Sequence, residues 1–496
     1  MKKILLFLVL LTYALMGAQD GALDTSFGDD GTIQTDINGD SDFAISITQQ
    51  ADEKILVAGQ FKIQGEVFPS IARFNLDGYL DNSFGSNGVV LFNRQNYEDE
   101  YYNKVLSQSD GKIVAGGIFS LTSSDQLVVN KFLADGSFDI DFGNNGELII
   151  FSENTGYGDF ALLNDNSILA AGSLFENGIS KIGLKKYLPN GTLDTSFGNN
   201  GVAITAVGNQ SNIAKKLVLT PDYKIIVLAN CNHDGESLDV LLRYLPNGSL
   251  DSSFGDNGVL IITIDSEYSS KNIAVYEDGK IVVQSSYFNW QNEIQHNLIS
   301  RYLADGGTDT SFGSGGFINP NNPQLGINKI EVQQNQRLLI FGGLNNPVEG
   351  GGKFYMRRYH IDGTADSSFN FVTYSSDNAV ADMVIQQDGK ITCLASTIWY
   401  NGQEDIVMER HMNNPLSIPE FDTNTIAIYP NPSNGIFTID RGLLSEKTPF
   451  QITDITGKII ATGQLNEKQT QLDLSSAQSG VYFLKTSNSG YRLLKN

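Results

Sequence analysis

One nine-residue phrase keeps returning along this chain. Leu23–Gly31 reads LDTSFGDDG, and close copies begin at Leu80, Phe138, Leu193, Leu250 and Thr308. A worn seventh copy, ADSSFN, covers Ala365–Asn370. The leading aspartates are Asp24, Asp81, Asp139, Asp194, Asp251, Asp309 and Asp366, at spacings of 57, 58, 55, 57, 58 and 57 residues. So regular a period marks a repeat architecture and outranks any local propensity. It also leaves no copy with room for a large insertion.

Two further landmarks recur in every copy. The first is a turn followed by an apolar run, as in DGKIVAGG from Asp110 and DGKIVVQ from Asp278. The second is an alternating segment such as ARFNLDG, LRYLPNG or SRYLADG, which ends on Asp-Gly or Asn-Gly in six copies. Asp-Gly and Asn-Gly accept the positive φ of tight turns, so each marks a chain reversal. Between the reversals lie short β-branched and aromatic segments. In copy two these are Gly88–Asn93, Tyr101–Gln108, Lys112–Phe119 and Leu127–Leu133, which predicts four strands per copy.

A four-stranded unit of this size cannot cover both of its own faces. Repetition around an axis solves that, because neighbours bury one another. Seven equal copies without distinct capping repeats favour a closed ring over an open solenoid. The expected fold is therefore all-β: a seven-bladed β-propeller over residues 19–412. In the repeated phrase, the phenylalanines Phe27, Phe84, Phe142, Phe197, Phe254, Phe312 and Phe369 are expected to plug the gaps between blades. The aspartates are expected to close Asx-type turns. Calcium binding is the alternative use of those aspartates, although no D-x-[DN]-x-[DN]-G loop with a distal glutamate accompanies them.

Together, LDTSFGxxG, QxDGKIxVAG and RYLxDG resemble the delta-60 repeat family of bacterial surface and exported proteins. The resemblance runs from about Asp20 to Met412. It implies a propeller-like array and supplies no catalytic residue.

The two ends of the chain read differently. Residues 1–18, MKKILLFLVLLTYALMGA, have the positive start, apolar run and small residues of a signal peptide, with cleavage between Ala18 and Gln19. No later segment is long and apolar enough for a spanning helix. Residues 413–425 read as a linker containing two prolines. Residues 426–496 alternate apolar and polar positions, broken by Pro-Asn-Pro and Gly, which predicts a small β-sandwich of six or seven strands. This tail, with YPNPSNGIFTI, the D-x-x-GK turn at Asp454–Lys458 and LDLSSAQSGVYFLK, resembles the type A C-terminal sorting domain of the type IX secretion system. That resemblance implies the secretion machinery as a partner and a secreted or surface-attached destination.

Composition narrows the chemistry. The net charge is −23, and losing Lys2 and Lys3 with the signal peptide makes it −25. So acidic a chain lacks the basic footprint that nucleic acid demands. Two cysteines, Cys231 and Cys393, lie in non-adjacent copies and read as buried free thiols. There is no G-x-S-x-G, H-E-x-x-H, P-loop or dinucleotide motif. The four histidines are scattered over different copies. The loops differ most between copies, and they carry the candidate ligand-contact aromatics Tyr101, Tyr102, Trp290, Trp399 and Tyr400. The function this suggests is an exported binding scaffold for a glycan or protein ligand. The alternative is a secreted polysaccharide hydrolase with a carboxylate pair on one face of the ring, which should show clustered carboxylates of perturbed pKa there.

Overall fold

The computed structural model describes residues 20–496, apart from positions 38, 93–98, 123, 153–157, 177, 265–266, 321, 323, 346–351, 373–377, 398–403, 414–426, 430, 432, 441–447, 455–457, 466–468 and 487–489. The expected cleavage point, Ala18 and Gln19, and the candidate aromatics Trp399 and Tyr400 lie outside the described residues. The chain divides into two compact units, residues 1–415 and 416–496.

The first unit is the seven-bladed propeller. Blade one shows the plan. Asp42–Gln49, Ile55–Ile63, Glu66–Phe74 and Val89–Leu91 form an antiparallel sheet in chain order. Blades two to six begin with Lys104–Ser107, Gly158–Leu162, Ser211–Leu219, Ser269–Val275 and Leu325–Val332, and blade seven with Asn378–Ile385. These first strands line the axis: residues from all seven surround a central channel of about 580 Å³.

Strand alternation builds the core. Along Ile55-Leu56-Val57-Ala58, Ile55 and Val57 pack with Leu394, Ile406 and Met408 of blade seven. Leu56 and Ala58 turn the other way, onto Val105, Ile113 and Val128 of blade two. Both faces of the sheet are thus covered by neighbours, which is why the second strands read as unbroken apolar runs.

Sequence copies and blades are out of phase. The first six phrases each sit between a blade's third and fourth strands, while the worn seventh lies within the fourth strand of blade six, Ala365–Val372; the first strand expected for copy two therefore completes blade one. The same offset closes the ring. Thr32–Thr35, just after the first phrase, pairs with Ile406–Glu409 as the fourth strand of blade seven.

Asn413, assigned to the linker from sequence, belongs to the ring. It is buried, accepts from Arg358 Nη1 at 2.8 Å and donates to the Gly389 carbonyl at 2.7 Å.

In the second unit, Ala427–Tyr429, Ile436–Asp440 and Gln469–Asp473 form one sheet. Ile459–Leu465, Thr448–Asp454, Gly480–Thr486 and Gly490–Lys495 form the other. Phe437, Ile439, Ile452, Leu472, Leu484 and Leu493 fill the space between them as an independent core.

Candidate functional site

The antiparallel path gives the ring two unlike ends. Links between strands one and two and between strands three and four emerge at one end. Links between strands two and three, and from strand four to the next blade, emerge at the other. All the repeated phrases fall at the first end.

That end is a ring of staples. In six of the seven phrases the aspartate binds a cation placed eight residues earlier on the third strand. Arg73–Asp81, Arg243–Asp251 and Arg301–Asp309 are each 2.8 Å apart, and Arg358–Asp366 is 2.7 Å. Lysine replaces arginine in Lys131–Asp139 and Lys186–Asp194. Arg410 closes the circle onto Asp24 at 2.8 Å. A second cation from the neighbouring turn joins most pairs, such as Lys54 on Asp81 and Lys390 on Asp24.

In every copy but the third, where Asp141 stands in its place, the other aspartate oxygen accepts from the serine two residues on, as in Ser83 Oγ to Asp81 at 2.6 Å. Arg73 Nη1 crosses to the Ala134 carbonyl of the next blade, and Arg410 Nη1 to the Leu76 carbonyl. Each arginine lies over its own phenylalanine, 4.4 Å from the Phe84 ring and 4.3 Å from Phe312. The phenylalanine edge in turn meets the turn glycine of the next blade, as Phe27 meets Gly78.

Burial pushes these carboxyls up, but the serine and cation contacts outweigh it. Asp24 and Asp81 end well below the usual carboxylate range, and Asp251 at about 2. This end is structural, with its aspartates already engaged by cations. Sequence reading found the aspartates and phenylalanines but missed the cations. The constant eight-residue spacing in the sequence was the signal.

The channel wall is also largely committed internally. Lys104 of blade two reaches Asp159 of blade three at 2.7 Å, and Lys329 of blade six reaches Asp382 of blade seven at 2.9 Å. Asp159 also accepts from the Leu217 amide of blade four, and Asp382 from the Ile47 amide of blade one. One channel carboxyl is perturbed upward: burial raises Glu331, with Lys329 opposing and Asp382 adding to the shift.

The opposite end carries the non-repeating loops. On blade five it holds an aromatic cluster. Tyr287 stacks on His296 with ring centres 4.5 Å apart, and Tyr268 meets Tyr287 edge-on at 4.8 Å. Beside them, Trp290 at the hairpin tip is 85% exposed and rests edge-on against Phe288 at 4.7 Å. Asn289, Gln291, Asn292 and Gln295 lie on the same hairpin, where Asn289 and Asn292 Oδ1 accept from the Gln291 and Ile294 amides and Gln295 Nε2 donates to the Tyr287 and His296 carbonyls.

Tyr101 is half-buried. Tyr102 has to be withdrawn as a ligand contact. It is fully buried between blades one and two, donates to Asn130 Oδ1 at 2.9 Å and packs on Phe119 and Phe132. Cys231 and Cys393 are free and buried; burial pushes the Cys231 thiol up to about 12 and Cys393 well above its ordinary value.

Comparison with known proteins agrees with this division. Residues 50–84, 108–142, 163–197, 220–254 and 277–312 match the family described as a domain of unknown function (DUF5122) beta-propeller. Residues 427–496 match the secretion system C-terminal sorting domain. The chain is thus a propeller protein sorted by type IX secretion, to a secreted or cell-surface-attached state. No curated protein is significantly similar to it.

Among solved structures, it is similar to the polysaccharide lyase Uly1, with 11% identity and a TM-score of 0.48 over 81% of this chain and 94% of that one. It is also similar to a PL25 ulvan lyase, with 11% identity and a TM-score of 0.49 over 76% and 95%. The propeller domain of the Trilobed protease from Pyrococcus furiosus gives 10% identity and a TM-score of 0.42 over 77% and 99%. At such identities no activity passes to this chain.

Proposed function

We propose that this protein is an exported binding scaffold whose loop-bearing end holds a glycan, with the blade-five aromatics as the platform. The observation that carries the reading is the exposure of Trp290 among side-chain amides, at the end of the ring that the staples leave free. Aromatic faces stack on the apolar faces of sugars, while amides suit hydroxyl groups. The tail delivers the scaffold and takes no part in the binding.

A hydrolase would use Glu331, which burial raises, as the acid, with Asp382 as its partner carboxyl. Lys329 pairs with both, at 3.8 Å and 2.9 Å, and so ties them to one cation inside the channel wall. The binding reading is therefore preferred.

A glycan array probed with the mature chain tests it, with Trp290→Ala as the variant. A platform residue should cost about tenfold or more in affinity when truncated. Equal binding by the variant, or capture of proteins but no glycans, would sink the glycan reading. Turnover of a bound polysaccharide that disappears in Glu331→Gln would favour the hydrolase.

A further inference from the structure

Where the ring closes, three carboxylates meet. Asp36 follows the closing strand, Asp42 opens the first strand of blade one, and Asp405 precedes the third strand of blade seven. Each offers an oxygen, and all three lie within 4.8 Å of one another. Among the described residues, no lysine or arginine pairs with any of them, in contrast to the seven staple aspartates.

Asp42 is the informative member. Its side chain is fully buried, Oδ2 accepts from the Ile37 amide at 2.6 Å, and Oδ1 is buried without a hydrogen-bond partner. A buried, unpaired acceptor of this kind is costly and calls for a compensating positive group.

The chain contains its own control. Asn212 occupies the same place in blade four, with its Oδ1 accepting from the Val207 amide at 2.8 Å as Asp42 accepts from Ile37. There the second side-chain atom is a donor, and Asn212 Nδ2 gives hydrogen bonds to the Ser180 and Gly208 carbonyls. Blade one puts a bare oxygen where blade four has that donor, and adds two further carboxylates beside it.

We propose that Asp36, Asp42 and Asp405 bind one calcium ion that clasps the seam between blades one and seven. The donors are all oxygen, which suits a hard cation and not a thiolate- or imidazole-seeking metal. The third ligand comes from the far end of the array, so no local calcium loop announces the site in the sequence. This site is distinct from the staple aspartates, and its stoichiometry is one ion per chain.

The test is calcium titration of the chelator-treated mature chain by calorimetry and thermal melting, with magnesium as the comparison. Expected are one site per chain and a melting temperature that rises to saturation, with magnesium weaker. Asp42→Asn should fold, as Asn212 does in the same setting, and lose the calcium response. Asp36→Asn changes an exposed side chain, so it should fold normally and weaken the affinity. Superimposed melts with no heat of binding, several equivalent sites per chain, or a full response in both variants would each overturn the proposal.

Discussion

At the scale of single residues, the ring end with the repeated phrases is held by buried ion pairs, and these behave unlike surface ones. Arg301 is almost fully buried against Asp309, the Phe312 face and the Ile361 carbonyl of the next blade. Removing one partner of such a pair costs about 3–5 kcal/mol, because the other charge stays buried. Arg301→Met should fall near the lower bound, since Lys280 still reaches Asp309 at 3.5 Å. Urea unfolding measures this, and a loss below about 1 kcal/mol would show that the pair is solvated.

The same residues set a pH dependence. Folding lowers the pKa of Asp24, Asp81, Asp251, Asp309 and Asp366, so their contribution is complete above the ordinary carboxylate range, about pH 4. It is lost as pH falls toward about 2, where Asp251 titrates. The staples' contribution to the urea midpoint, read as the difference between the intact chain and Asp251→Asn, should therefore hold level down to about pH 4 and drop steeply below it. Residue identity showed the aspartates in the sequence. Their cationic partners stand in the same strings, eight residues earlier in six copies, but a turn-forming Asp requires no partner, so turn chemistry alone does not point to them. Tyr102 was misjudged for a different reason: composition marks a loop, yet whether a side chain at its end faces in or out depends on strand register.

At the scale of turns and strands, two glycines separate backbone strain from packing. Gly65, at the tip of the blade-one hairpin, has φ +87° and open space around it. Gly78 has nearly the same φ, +93°, but a Cβ there would sit 2.8 Å from the Phe27 ring. Gly65→Ala should cost only the left-handed penalty of about 1–2 kcal/mol. Gly78→Ala should cost distinctly more, because Phe27 has to move within a filled slot. Equal losses in thermal or urea melts would mean that the ring edge yields freely.

Turn positions of this kind were legible, because Asp-Gly states its own geometry. The phase between copy and blade was not. A period is unchanged when every boundary slides by the same amount, so spacing alone cannot say which strand begins a blade. Pairing of Thr32–Thr35 with blade seven fixes the phase.

At the scale of the whole molecule, closure depends on the described residues before the first blade. Residues 20–35 supply Asp24 for Arg410, Phe27 for the slot at Gly78 and Ile33 for the core shared with blade seven, besides the closing strand itself. Deleting them leaves Arg410 buried without Asp24, at about 3–5 kcal/mol. It also empties the Phe27 slot, at about 3–5 kcal/mol, and bares Ile406–His411 as an unpaired edge open to aggregation. Together these approach the roughly 5–15 kcal/mol that a domain has in hand. The shortened chain should therefore lose its cooperative melt or associate, as seen by calorimetry and size-exclusion chromatography.

Removing residues 416–496 is the matched control, because that segment has its own core and takes away none of these contacts. Its propeller transition should stay where it was, while type IX export is lost. An N-terminal deletion that melts within a few degrees of the intact chain would show that seven blades hold together without the seam. The ring would then behave as an open stack of repeats, whose ends contribute no more than any other nearest-neighbour contact.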